Sequence, residues 1–70
     1  MIIATLDTAH FNFIAMGVDV ESARDALARG WDVHRTQSDK PVVDLRFFED
    51  DIRYIDISAG DCVRDYGCKL

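Results

Sequence analysis

The sequence predicts a single small α+β domain spanning residues 1–70. An antiparallel sheet of four or five strands carries one helix on one face, in the order strand, strand, helix, strand, strand. Two patterns point there. Short apolar runs of strand length, Ile2–Leu6, Phe11–Met16, Val42–Phe48 and Ile52–Ser58, recur along the chain, the last three with faces assigned at the strand period. One stretch, Val20–Thr36, repeats them at helical spacing instead. Length decides the rest, because 70 residues hold neither a barrel enzyme nor a doubly wound nucleotide fold.

Each element has its own signals. Ile2–Leu6 is β-rich, Asp7-Thr8-Ala9-His10 reads as a turn, and Phe11–Met16 resumes the strand to make a hairpin. Phe11, Phe13 and Ala15 share one face of that second strand; Asn12, Ile14 and Met16 share the other. Gly17 closes the strand, Asp19 is a helix cap, and Glu21 suits the positive end of the helix. Val20, Ala23, Leu27, Gly30, Trp31 and His34 form the apolar helix face, opposite Arg24, Asp25, Arg29, Asp32 and Arg35. Gly30 reads as a close helix-to-sheet approach, with a helix end there as the competing reading. Gln37–Pro41 is a loop, since proline cannot continue a helix.

Val42–Phe48 reads as the third strand, with Val43, Leu45 and Phe47 on one face and Asp44, Arg46 and Phe48 on the other. Glu49-Asp50-Asp51 is an acidic turn. Ile52–Ser58 is the fourth strand, with Ile55 and Ile57 facing one way and Tyr54 and Asp56 the other. Ala59-Gly60-Asp61 turns the chain, Cys62–Tyr66 returns as a short fifth strand along the fourth, and residues 67–70 are tail. The expected core is Val20, Ala23, Leu27 and Trp31 against Phe11, Phe13, Leu45, Phe47, Ile55 and Ile57.

Composition narrows the function classes. Apolar residues make up 49% of the chain, which suits a folded domain. Thirteen acidic residues against eight basic give a net charge of −5, which disfavours binding to nucleic-acid phosphates. No apolar run approaches the roughly 18 residues of a membrane span, and no basic leader precedes Ile2, so the expected setting is cytoplasmic. Cys62 and Cys68 are then expected to be free thiols. So short a chain buries only about 60% of its unfolded surface, so oligomerisation or a bound partner would add useful stability.

The chemistry-bearing residues do not form a recognisable constellation. His10, His34, Cys62 and Cys68 offer a zinc-like ligand set without the close spacing such sites use. Neither cysteine carries a nucleophile signature. The acidic run lacks the residue order of a calcium loop, and the glycines are too scattered to cradle a phosphate. The expectation is therefore no enzyme, no cofactor and no metal.

Charge by region is more informative. Asp44–Asp65 holds seven acidic residues and three arginines, a local net of −4. If the helix covers the face bearing Ile55 and Ile57, then Asp44, Phe48, Tyr54 and Asp56 project from the open side. With Glu49, Asp50 and Asp51 they make a candidate partner-binding surface, aromatic anchors for burial and carboxylates for selecting a basic partner. A homodimer through the open face, using Ile14, Met16, Val42, Phe48, Ile52 and Tyr54, is the alternative. An ordinary solvated face with Tyr and Phe in cross-strand pairs is the plainer reading.

Two resemblances bear on function. Residues 13–27 run from a strand ending in Gly17 through a cap and an acidic turn into Ala23-Arg24-Asp25-Ala26-Leu27. This segment resembles the strand-to-helix joint of HicB-type antitoxins, which implies an antitoxin-like partner. Thr8-Ala9-His10-Phe11-Asn12-Phe13 leading into Ala26-Leu27-Ala28-Arg29-Gly30-Trp31-Asp32-Val33-His34 resembles small accessory proteins of actinobacterial bacteriophages. That resemblance implies a protein that binds and redirects, or blocks, one host protein in the host cytoplasm. The expected function is a non-catalytic acidic protein-binding module of this accessory or inhibitor kind. The alternatives are a nucleic-acid mimic filling a basic groove, an antitoxin-like partner, and a small metal or thiol protein.

Overall fold

The first two strands form the expected hairpin. In the computed structural model, which describes every residue except Tyr66, β1 (Ile2–Asp7) pairs antiparallel with β2 (Asn12–Gly17). The register is unbroken from Ile2↔Gly17 to Asp7↔Asn12. Thr8 closes the turn: its N–H and its hydroxyl both donate to the Phe11 carbonyl, at 2.8 and 2.7 Å. Partners across the ladder share a face, so Phe13, Ala15 and Gly17 lie with Leu6, Ala4 and Ile2 beneath the helix.

The helix α1 (Val20–Gln37) starts where the cap predicts. The Asp19 carboxylate accepts from the Ser22 N–H at 2.8 Å, and the Asp19 N–H donates to the Ser22 hydroxyl at 3.2 Å. This reciprocal pair satisfies two of the backbone donors that every helix start leaves orphaned. Ala23, Leu27 and Trp31 are buried as expected, but Val20 is half exposed because it sits at the rim of the first turn. Gly30 is also corrected: α1 runs through it, and a Cβ there would meet nothing within 4 Å. The close approach is at Gly17 instead, where a Cβ would collide with the Ser22 hydroxyl and the Ala23 amide nitrogen.

The third strand is not present. Residues 42–44 are extended coil, and Leu45–Asp51 is a 3₁₀ helix. The Asp44 side chain caps it, accepting from the Arg46 N–H at 2.9 Å, and the Asp44 carbonyl accepts from the Phe47 N–H at 3.0 Å. Three residues per turn put Leu45 and Phe48 on one face, and that face packs on the core. Phe47 points outward and is 75% exposed, reversing the sides that alternation assigns to the two phenylalanines.

β3 (Arg53–Asp56) pairs antiparallel with β1, giving the order β2-β1-β3. Its register sets Ile3 opposite Ile55 and Ala4 opposite Tyr54. Tyr54 and Asp56 therefore lie on the helix side and Ile55 on the open side, the inverse of the expectation. The alternation within the strand is as expected; only the covered side differs, because the register of β3 to β1 sets that side and alternation alone does not. The returning segment also differs. β4 (Val63–Arg64) pairs with β5 (Cys68–Lys69), not with β3, so the described residues form a three-stranded sheet and a separate two-stranded ladder instead of one sheet of four or five strands. Tyr66, the last residue of the predicted fifth strand, lies outside the described residues.

The core sits between α1, β1 and the 3₁₀ segment: Ala4, Leu6, Ala23, Leu27, Trp31, Leu45 and Ile52, with Phe13, Val42 and Phe48 packed around it. Trp31 also donates its indole N–H to the Val43 carbonyl at 2.9 Å, which ties the loop after α1 to the helix. Phe11 is 55% exposed, and neither it nor Phe47 belongs to the core. Among the described residues no helix is long and apolar enough to cross a membrane.

Candidate protein-binding surfaces

The seven predicted site residues are not brought onto one face. Asp44 is occupied as a cap. Its carboxylate sits 3.4 Å from Arg46 Nε and 3.9 Å from Arg35 Nη1, and the Arg46 backbone N–H is the main cause holding it below the ordinary aspartate range. Phe48 is half-buried edge-on against Trp31, with ring centroids 5.5 Å apart. Glu49 turns toward α1, accepting from Arg24 Nε at 2.8 Å and from Arg24 Nη2 at 3.2 Å. That fork pushes the Arg24 guanidinium to a still higher pKa. Tyr54 lies near this pair, and partial burial raises its phenol above the ordinary value. Asp50, Asp51 and Asp56 remain exposed. Asp44, Phe48 and Glu49 thus tie the 3₁₀ segment to α1, Phe48 is half-buried, and Tyr54 stays 38% exposed on the helix side of β3.

The uncovered face of the sheet is a different set. Ile3, Ile14, Met16 and Ile55 share it with Thr5, Asp7, Asn12 and Arg53. Ile14 is 56% and Met16 53% exposed, whereas Ile3 and Thr5 on the central strand are covered by their neighbours. The Thr5 hydroxyl oxygen is buried without a hydrogen-bond partner among the described residues. Arg53 donates to Asp7 at 3.0 Å, so one ion pair and Asn12 close this face at one end, and the exposed side chains along the rest of β2, Ile14 and Met16, are apolar. Its β2 half was visible in the sequence as the shared parity of Asn12, Ile14 and Met16. Its β3 half was not, because only the register to β1 reveals it.

A cleft of about 330 Å³ opens at the hairpin-turn end of α1, where Phe11, Trp31, His34, Val42 and Phe48 line it and His10 and Lys40 stand at its edge. The His34 ring lies 4.9 Å from Phe11 and 5.1 Å from Phe13, edge-on to both. Cys62 and Cys68 are exposed free thiols at the two-stranded ladder. Among the described residues no three His, Cys, Asp or Glu side chains converge as a metal-ligand set.

No protein-family model matches this chain, and neither does any curated protein or solved structure.

Proposed function

We propose that this chain is a non-catalytic protein-binding module and that its docking surface is the uncovered sheet face. The observation that carries the reading is a sheet apolar on both sides with a helix on only one. Ile14 and Met16 stand more than half exposed beside Ile3 and Ile55. Apolar side chains grouped on an exposed sheet face mark an interaction site more often than chance scatter does. The partner is a protein presenting an apolar ridge with basic groups at its border, since the chain carries a net charge of −5 and Asp50, Asp51 and Asp56 are exposed. An accessory or inhibitor acting on a host protein in the host cytoplasm is the role that fits the bacteriophage resemblance. A nucleic-acid mimic is less favoured, because Asp7, Asp44, Glu49 and Asp61 are each tied to a basic side chain rather than arrayed as free charges.

The test is capture of a partner from host lysate by the tagged chain, with nuclease present. The expected result is one stoichiometric protein that Ile14→Glu and Met16→Glu each release by at least about tenfold, a change of about 1.4 kcal/mol, while Tyr54→Phe retains it. Capture that survives both face variants would refute the reading. Capture that disappears with modest added salt and ignores the face variants would favour the mimic instead.

A further inference from the structure

We infer that the free edge of β2, together with the α1 flank above it, is the seam of a two-fold homodimer in which β2 pairs antiparallel with β2 of a second copy. The inference is separate from the partner-binding reading, because it uses the edge of the sheet and not its open face.

The edge itself is the first observation. β2 lies at the end of the order β2-β1-β3, and among the described residues no backbone hydrogen bond reaches it from any element other than β1. A free edge is a template for another strand, and proteins blunt such edges with charge, proline, bulges or brevity. The opposite edge follows that rule: β3 has four residues, of which Arg53 and Asp56 are charged. β2 does not. Asn12-Phe13-Ile14-Ala15-Met16-Gly17 holds no charge and no proline, and its register with β1 has no bulge.

The helix flank is the second, independent observation. Arg24 reaches Glu49 and Arg35 approaches Asp44, so that side of α1 faces the 3₁₀ segment. Helical geometry puts Ser22, Ala26, Gly30 and Val33 on the other side, above the β2 edge. Gly30 has no neighbour within 4 Å of its Cβ position and Val33 is 55% exposed. Glycine inside a helix weakens it, and nothing within the monomer uses the space this one leaves.

A second copy uses both features at once. Strands pair about 4.8 Å apart, and α1 rests over β2 and β1. A two-fold axis beside β2 therefore sets the two helices roughly 10 Å apart, the distance at which helices pack. Ser22, Ala26 and Gly30 allow that approach. The strand half of the seam is also uncharged, so two chains of net charge −5 meet there without like charges directly opposed, while Arg29 borders the helix half. The flank is about 20 Å long and two layers of about 10 Å deep, about 400 Å² in projection. Doubled for the two copies, that is about 800 Å², below the usual range of stable interfaces, so the dimer should be weak and reversible, dissociating at about micromolar to millimolar concentration.

Sedimentation equilibrium of the intact chain from about 1 µM to about 1 mM tests this. The expected result is a monomer–dimer equilibrium that Gly30→Glu weakens at least about tenfold. Because the Gly30 Cβ position is open space, that variant should keep or raise the thermal midpoint. Val33→Glu is the second seam variant and should act alike. Amide exchange in Asn12–Gly17 should slow at high concentration for alternate residues. A chain that stays monomeric throughout, a dimer that both variants leave intact, or a dimer with unchanged β2 exchange would each overturn the inference. Heterologous capture lost by Ile14→Glu but kept by Gly30→Glu separates this seam from the partner-binding face.

Discussion

At the scale of single residues, glycine was the harder type to read. Asp19 and Gly17 were legible as a boundary, because a cap and a strand end are local signals. Which glycine permits close packing was not legible, since that depends on which backbone crosses above it. Gly17 lies under the first turn of α1, where a methyl group would strike the Ser22 hydroxyl and the Ala23 nitrogen. Gly17→Ala should therefore destabilise by about 1–3 kcal/mol, an overpacking cost, and thermal or urea unfolding would measure it. Trp31 offers a second test at this scale. Its buried ring packs on Phe13 and Phe48, and its indole N–H holds the Val43 carbonyl at 2.9 Å. Trp31→Phe keeps most of the ring burial and removes the donor, at a cost of about 1–2 kcal/mol. Exchange of the loop after α1 should quicken in the same variant if that hydrogen bond anchors the loop.

At the scale of elements, the hairpin and α1 were legible because their periods run through six or more residues and end in turn or cap chemistry. The 3₁₀ segment was not. Leu45-Arg46-Phe47-Phe48 fits period two and period three equally over so few positions. The Asp44 cap and the anchor at Leu45 decide for period three in the folded chain. The two periods bury different phenylalanines, so a mutant pair distinguishes them directly. Phe48→Ala should cost about 2 kcal/mol or more, less than a fully buried ring because Phe48 is only half-buried. Phe47→Ala, at 75% exposure, should change stability by less than about 0.5 kcal/mol. The reverse ranking in urea unfolding would restore the strand. The candidate site fails for a separate reason: the alternation of Tyr54, Ile55 and Asp56 holds, but only the register of β3 to β1 says which side α1 covers, and it is the side of Tyr54 and Asp56.

At the scale of the whole molecule, acidity has a role in stability that composition alone does not reveal. Asp19, Asp44 and Asp61 all accept from backbone N–H groups at turns or helix starts, of Ser22, Arg46 and Ser58 respectively. In each case that bond is the largest cause lowering the carboxyl below its ordinary range. A depressed folded value means that the unfolded chain binds protons first as pH falls. The stabilisation is then complete above the unfolded aspartate value of about 4 and is lost as pH drops through the folded values. Stability should hold between about pH 5 and pH 8, then decline below pH ~4. Tyr54 acts at the other end: its raised phenol favours the folded state below about pH 10 and gives up that contribution as pH climbs further. Urea midpoints across this range, repeated with Asp19→Asn, Asp44→Asn and Asp61→Asn, would check the assignment. The triple variant should flatten the acid limb, because an amide cannot gain the proton that drives the loss. An acid limb unchanged in that variant would overturn the assignment.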